Sequence, residues 1–305
     1  MSDLTAYVLG PVHTEAVCVS DAQSPTFLRF QLGAQLRELR ETAGLRADQV
    51  GEHADCSPST ISRIEGGKVG IRRGVLLQLL DLYGVTDEAH RETLLTLAKQ
   101  GKQRGWWARY GELPAAYAQY IGFESAASEM RNYEPLIVPG QLQTEDYLRA
   151  LFRAAEPYQT EETIEKRVRV RLARQDLLTK KSPLRLLTVL DEGVLRRVIG
   201  GPDVMRGQLK RLSEASQMPN VTIQILPFSG GAYAGMAGSF AILDFPAPDA
   251  PTIACAEGLT GATYAEGDDV QRYKLVFDSL RAAALSPLES GRLIDSLRND
   301  LARES

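Results

Sequence analysis

Along the first third of the chain, apolar residues return every three or four positions. Leu28, Leu32, Leu36 and Leu39 form one stripe, which predicts a helix over 27–43 with Arg29, Arg37 and Arg40 off the stripe. Val50 anchors a shorter helix over 47–54. The next helix is specified almost residue by residue, from Pro58 to Glu65. Ser57 is a good N-cap, Pro58 suits the first helical position, where a backbone N–H has no partner in any case, and Gly66-Gly67 stops the helix. At about 100° per residue, Ile61 and Ile64 fall on one face with Thr60. Pro58, Ser59, Ser62 and Arg63 fall on the other. Two more helices are expected, over 74–83 with Leu76, Leu79 and Leu80 inward, and over 87–100 with Thr86 as cap.

After the polar, glycine-bearing stretch Lys99–Gly105 the pattern changes. Helices are expected over 114–132 (Tyr117, Tyr120, Ile121, Glu124, Ala127, Met130), from the Thr144 cap to 153, and over 161–180. Strand signals start late, at 184–190, 221–226, 240–245 and 252–256. Helices over 192–199 and 203–216 separate the first two strands. Two more close the chain, over 269–284 and 287–302, the last opened by the capping box Ser286-Pro-Leu-Glu289. Strand–helix–strand order predicts a mixed or partly parallel sheet covered by helices. The expected fold is therefore an α N-terminal domain of five helices plus a larger α/β C-terminal domain. The expected division is a disordered tail over 1–24, the helical domain over 25–100, a linker over 101–105 and the second domain over 106–305. Trp106 and Trp107, the two tryptophans, are expected to plug the domain junction or the second core.

Charge sharpens this picture. The 305 residues carry 35 Lys and Arg against 39 Asp and Glu, a net charge of −4, which argues against a basic nucleic-acid coat protein. Residues 25–105 hold twelve Lys and Arg against ten Asp and Glu. A weakly basic module on an acidic protein fits site-specific binding better than bulk coating, because non-specific affinity grows with the number of phosphates neutralised. The three cysteines, Cys18, Cys56 and Cys255, lie far apart and suggest neither a disulfide framework nor a metal spacing. The three histidines, His13, His53 and His90, all precede the second domain, and no catalytic constellation emerges there. No apolar run approaches the roughly 20 residues of a membrane span. The expectation is a reduced, cytoplasmic, non-enzymatic protein without a cofactor or metal.

The stretch Leu36-Arg-Glu-Leu-Arg40, Ala43-Gly-Leu45, Ser57-Pro-Ser-Thr-Ile-Ser-Arg-Ile-Glu65 and Gly67-Lys68 resembles the Cro/CI-type (XRE) helix-turn-helix family, over about residues 32–97. The resemblance implies that 58–65 is the recognition helix, with Pro58, Ser59, Ser62 and Arg63 facing bases of a double-stranded DNA operator. It also makes Arg40 and Glu65 a structural ion pair. Arg46, at the open N-terminus of the second helix, and Lys68, Arg72 and Arg73, in the following loop, are expected on phosphates. Two positions depart from the family pattern. Asp55 stands where a turn glycine is usual, and Gly51 where an alanine is usual.

The second region resembles the large C-terminal domain, of unknown function, of the WhiJ-like regulators of streptomycetes and other actinobacteria. The residues are Val138-Pro-Gly-Gln-Leu-Gln-Thr144, Arg171-Leu-Ala-Arg-Gln175, Val189-Leu-Asp-Glu192, Leu226-Pro-Phe228 and Gly238-Ser-Phe240. The resemblance implies an antitoxin-like transcriptional regulator controlled by a ligand or by a small protein encoded by a neighbouring gene. A homodimer is expected, since one small module reads few base pairs. The rival expectation is a small-molecule receptor or enzyme domain with an autoregulatory DNA-binding module. A deep pocket lined by Tyr233, Phe240 and Tyr264 would favour it; a broad exposed apolar face would favour a protein partner. Two features stay open. The run Arg167, Arg169, Arg171 and Arg174 is a solvated face or a second DNA surface. The Gly-rich stretch Ser229–Gly238 is a long hairpin connection or a lid.

Overall fold

The structure is a computed structural model describing residues 24–246, 250–258 and 261–303. All but the last residue of the tail expected over 1–24 lies outside the described residues. The chain opens with α1 (Pro25–Thr42), α2 (Ala47–His53), α3 (Pro58–Glu65), α4 (Arg73–Leu82) and α5 (Glu88–Gln100). Leu28, Leu32, Leu36, Val50, Ile61, Leu76, Leu79, Leu80 and Leu94 meet in one core. Asp87 caps α5 in place of Thr86. Its carboxylate accepts the N–H groups of Ala89 and His90, both at 3.2 Å, and a carboxylate suits that positive helix end.

The larger region follows in the order α6 (Ala115–Ala126), β1 (Glu129–Glu134), α7 (Glu145–Ala155), α8 (Glu161–Ala173), β2 (Arg185–Asp191), α9 (Glu192–Arg196), α10 (Pro202–Ala215), β3 (Val221–Leu226), β4 (Phe240–Asp244), β5 (Ile253–Gly258), β6 (Gly261–Ala265), α11 (Asp268–Ala283) and α12 (Pro287–Arg303). The six strands lie in the order β3-β2-β1-β4-β5-β6. β1, β2 and β3 are parallel, and β4, β5 and β6 continue the sheet antiparallel from β1. One face packs under α6, α10 and α12 through Phe123, Leu186, Leu209, Leu212, Leu243 and Ile294. The other lies under α11 through Val189, Ile242, Phe277 and Leu280.

Four expectations are corrected. The helix expected over 114–132 stops at Ala126, and its last residues are β1, the strand joining the two halves of the sheet. Glu-Met-Arg-Asn-Tyr-Glu has no strand composition of its own; pairing with β2 and β4 decides it. The buried Asn132 amide is satisfied by the Thr188 hydroxyl and the Phe240 carbonyl. β6, rich in small residues, is a sixth strand beyond the four expected. The helix expected over 161–180 ends at Ala173 and tightens into a 3₁₀ turn, Arg174–Leu178, where Arg174 turns inward. The Gly-rich stretch is not a hairpin connection: it crosses from the edge strand β3 to β4, which pairs with β1.

Helix α1 serves both regions. Phe27 stacks on Phe245 at 4.2 Å between ring centroids, and Phe30 meets Phe123 edge-on at 5.2 Å. Both phenylalanines belong to the core of the sheet region, while Leu28, Leu32 and Leu36 of the same helix belong to the helical core. Gly122 makes this seat possible, since a Cβ there would lie 2.4 Å from the Thr26 Cβ. Trp107 fills a small cluster with Ile121 and Val170, and the Trp106 indole N–H donates to Ser125 Oγ at 3.0 Å.

Candidate nucleic-acid interface

The helix-turn-helix is assembled by close backbone approach. A Cβ at Gly33 of α1 would lie 2.5 Å from the Ile64 carbonyl oxygen and 2.3 Å from that of Glu65, so α1 and α3 touch without side chains between them. A Cβ at Gly51 would lie 2.6 Å from the Cys56 carbonyl oxygen. The glycine that replaces the usual alanine thus lets α2 press onto the turn. Asp55, in that turn, has φ +50°, the one non-glycine residue in the left-handed region among the described residues; its short polar side chain tolerates that conformation. Gly67 takes φ +63° just after α3 and abuts the backbone of Phe30.

Within this frame α3 is oriented as its periodicity requires. The Ser57 hydroxyl accepts the Thr60 N–H at 3.1 Å. Ile61 and Ile64 are buried, whereas Pro58, Ser59, Ser62 and Arg63 are exposed on one surface. Arg40 Nε and Nη2 donate to the two Glu65 oxygens at 2.7 and 3.1 Å, and Arg40 Nη1 donates to the Leu45 carbonyl at 2.9 Å. The hydrogen bond to Glu65 holds the Arg40 pKa above its ordinary value. Beside the pair, burial pushes the Tyr83 hydroxyl up to about 12.

The four cations differ in availability. Lys68, Arg72 and Arg73 are exposed and, like Arg63, have no carboxylate partner among the described residues. Ile71, 2 % exposed, pins the loop to the core, so its neighbours point outward. Arg46 is exposed at the start of α2, but its guanidinium is held by Asp48 through bonds of 3.0 and 2.8 Å. A phosphate there would have to displace that carboxylate.

In the second domain the structure does not bring Tyr233, Phe240 and Tyr264 together. Phe240 lies on the α11 face of the sheet, in a cleft of about 410 Å³ with Ala256, Arg272, Tyr273 and Val276. The Gly-rich residues Ala234–Ser239 form its wall. Tyr264 points to the opposite face, in a cleft of about 430 Å³ that it shares with Phe123, Ser62 and Lys68. Tyr233 donates to Asp191 at 3.0 Å and accepts from Tyr133 at 2.7 Å.

Sequence reasoning missed a buried polar constellation. Arg174, read as part of a basic run, is 3 % exposed and forms two 2.7 Å bonds to Glu124, which is fully buried. Gln141 also donates to Glu124, and the Tyr117 hydroxyl accepts from Arg174 at 3.1 Å. Arg171 lies over the rings of Tyr117 and Phe152. At the end of β1, burial pushes the Glu134 carboxyl up to about 7, despite the hydrogen bond from Asn132. So Arg171 and Arg174 form neither a solvated face nor a second DNA surface. The available signal was a glutamate directly after the apolar run Tyr120–Phe123 of α6.

Residues 31–94 match the model of a helix-turn-helix domain. This is the region whose geometry presents α3, and the match supports DNA binding by the chain. No curated protein matches the chain. No solved structure matches it. Residues 117–296, more than half of the chain, match the model of a domain of unknown function, DUF5753, and the chain belongs to that family.

Proposed function

We propose that the protein is a sequence-specific transcriptional regulator, active as a homodimer, whose larger domain receives the controlling signal. The helix-turn-helix match supports DNA binding. The observation that carries the specific reading is the exposed face of α3. Small residues at Pro58, Ser59 and Ser62 leave room for a groove wall, and the unpaired Arg63 guanidinium can reach a guanine edge with two donors. Lys68, Arg72 and Arg73 then clamp the backbone, while Arg46 contributes only after release from Asp48.

Control comes from a small partner protein or a ligand, in the manner of an antitoxin-like, WhiJ-like regulator. The shared helix α1 supports such coupling, because a shift of Phe27 and Phe30 moves the helix against which α3 is packed. A small-molecule signal is favoured by the cleft beneath the Gly-rich segment, with its apolar floor and the polar rim of Asp269 and Arg272. No enzymatic role is part of this reading.

Fluorescence anisotropy on the DNA upstream of the protein's own gene tests the proposal, with scrambled DNA as control, at physiological salt. Binding specific to that DNA and lost in Arg63→Ala is expected. Equal affinity for scrambled DNA would reject a sequence-specific regulator.

A further inference from the structure

The three parallel strands end together. Glu134 of β1 pairs with Leu190, and Asp191 of β2 with Leu226. From these carboxyl ends the chain leaves on opposite faces of the sheet. After β1 it enters α7, whose Tyr147 belongs to the core on the α6 face. After β3 the Gly-rich segment crosses the ends of β2 and β1 on the α11 face and starts β4 at Phe240. The crossing is pinned. The Tyr233 hydroxyl sits between Asp191 and Tyr133, and a Cβ at Gly235 would lie 2.8 Å from the Tyr133 ring. Beyond the pin, the segment and α11 enclose the cleft of about 410 Å³. In open α/β sheets, connections that diverge at the carboxyl ends of strands leave the crevice in which ligands bind. The volume falls within the roughly 300–1,000 Å³ of small-molecule sites.

We infer that this cleft binds a flat aromatic anion such as an aryl carboxylate. The inference rests on the small-molecule reading of the larger domain above and names its chemistry. Phe240 and Tyr273, with ring centroids 5.3 Å apart and planes tilted by 59°, join Val276 and Ala256 in a partly aromatic floor. Such a floor suits a flat ring. The facing wall is nearly bare of side chains. Gly238 takes φ +135°, and a Cβ there would meet nothing within 4 Å, so a ligand can approach the backbone. Charge selects the sign of the ligand's polar end. Two charged residues line the cleft, Asp269 and Arg272. Asp269 lies in the first turn of α11, where the helix end compensates a negative charge. Arg272, one turn further on, is exposed and has no carboxylate partner among the described residues. The uncompensated charge of the rim is therefore a guanidinium, which takes a carboxylate through two parallel N–H donors.

Strand β4 links the cleft to the helical domain. It starts at Phe240, on the cleft floor, and ends at Asp244, beside the Phe245 that stacks on Phe27 of α1 at 4.2 Å. The floor is thus one strand length, roughly 17 Å, from the helix shared by both cores. A ligand seated on Phe240 bears on the strand that ends against α1.

Fluorescence titration of the full chain with anilinonaphthalene sulfonate, an aromatic anion whose emission rises in apolar surroundings, tests the site. One saturable site is expected. Arg272→Gln removes the charge from an exposed position and is expected to weaken dye binding at least about tenfold. Val276→Phe, which adds a ring to the floor, is expected to abolish it. Ala237→Trp, exposed on the facing wall, makes the same test should Val276→Phe fail to fold by circular dichroism. Leu275→Gln, at an exposed apolar position of α11, is expected to leave binding unchanged, which separates the cleft from a general affinity for exposed apolar side chains. Naphthoate is expected to displace the dye, and naphthylmethylamine is not. The absence of a saturable site, or a site indifferent to the cleft-filling variants, would overturn the proposal. A site lost on filling the cleft but indifferent to Arg272→Gln would overturn anion recognition. Operator anisotropy with and without the dye is read separately: an unchanged affinity on a filled cleft would reject small-molecule control and leave the binding site standing.

Discussion

Arg40 and Glu65 are joined by two parallel hydrogen bonds of 2.7 and 3.1 Å that tie α1 to the last residue of α3. Both side chains are largely removed from water, at 13 % and 8 % exposure. A planar fork on a carboxylate fixes both position and angle, which a single lysine contact does not. Removing one partner leaves a buried charge unpaired. Arg40→Met is therefore expected to destabilise the helical domain by about 3 kcal/mol. Arg40→Met with Glu65→Leu should recover most of that loss. Urea unfolding of the three proteins checks both statements, and an additive double mutant would show that the pair is not coupled.

Arg63 has no carboxylate to satisfy it within the described chain and projects from the exposed face of α3. Arg63→Ala is expected to cost on the order of 1–3 kcal/mol at one operator position and to relax specificity there. Anisotropy titrations over a set of single-base operator variants read this directly. A loss equal on every sequence would place Arg63 on a phosphate.

The loop cations should behave differently. Arg72→Ala is expected to weaken binding to all sequences alike and to reduce the salt slope by roughly one unit. Asp48→Asn should act in the opposite sense, because it frees Arg46 from its two bonds to Asp48. The expected result is tighter binding to all DNA and a steeper slope. An unchanged slope in Asp48→Asn would mean that Arg46 does not approach the backbone.

Glu134 gives the second domain a pH dependence. Its carboxyl is pushed from an ordinary 4.5 up to about 7 by burial, so the folded state favours the neutral form. The stability tied to this group is fully present below about 4.5 and is lost as pH rises through about 7. Glu134→Gln, which stays neutral, is expected to raise the melting temperature at pH 8 and to leave it nearly unchanged at pH 4.5. The gain at pH 8 is on the order of 2 kcal/mol. Thermal unfolding across pH 4.5–8 checks the sign, and a larger gain at the acid end would reverse the assignment.

The Arg174–Glu124 pair shows where sequence patterning misleads. Arg167, Arg169, Arg171 and Arg174 read as a basic stripe, yet Arg174 is buried on Glu124, fifty positions earlier. Periodicity reports which face a side chain occupies. It does not report what another element brings to that face.

Residues Pro25–Gln100 were legible almost in full from the sequence alone. Ser57, Pro58 and the Gly66-Gly67 stop act within a few positions of one another, and a leucine stripe on an α-helix is a local property. The bounds of α3, the face carrying Ser59, Ser62 and Arg63, and the left-handed turn at Asp55 all follow from such short-range chemistry. Tertiary structure alone decided β1 and β6, the crossover of the Gly-rich segment, the split of Phe240 from Tyr264 and the placing of Phe27 and Phe30 in the second core. Each depends on partners far along the chain. A strand such as Glu129–Glu134 has no strand pattern of its own and becomes one only when β2 and β4 supply its hydrogen bonds.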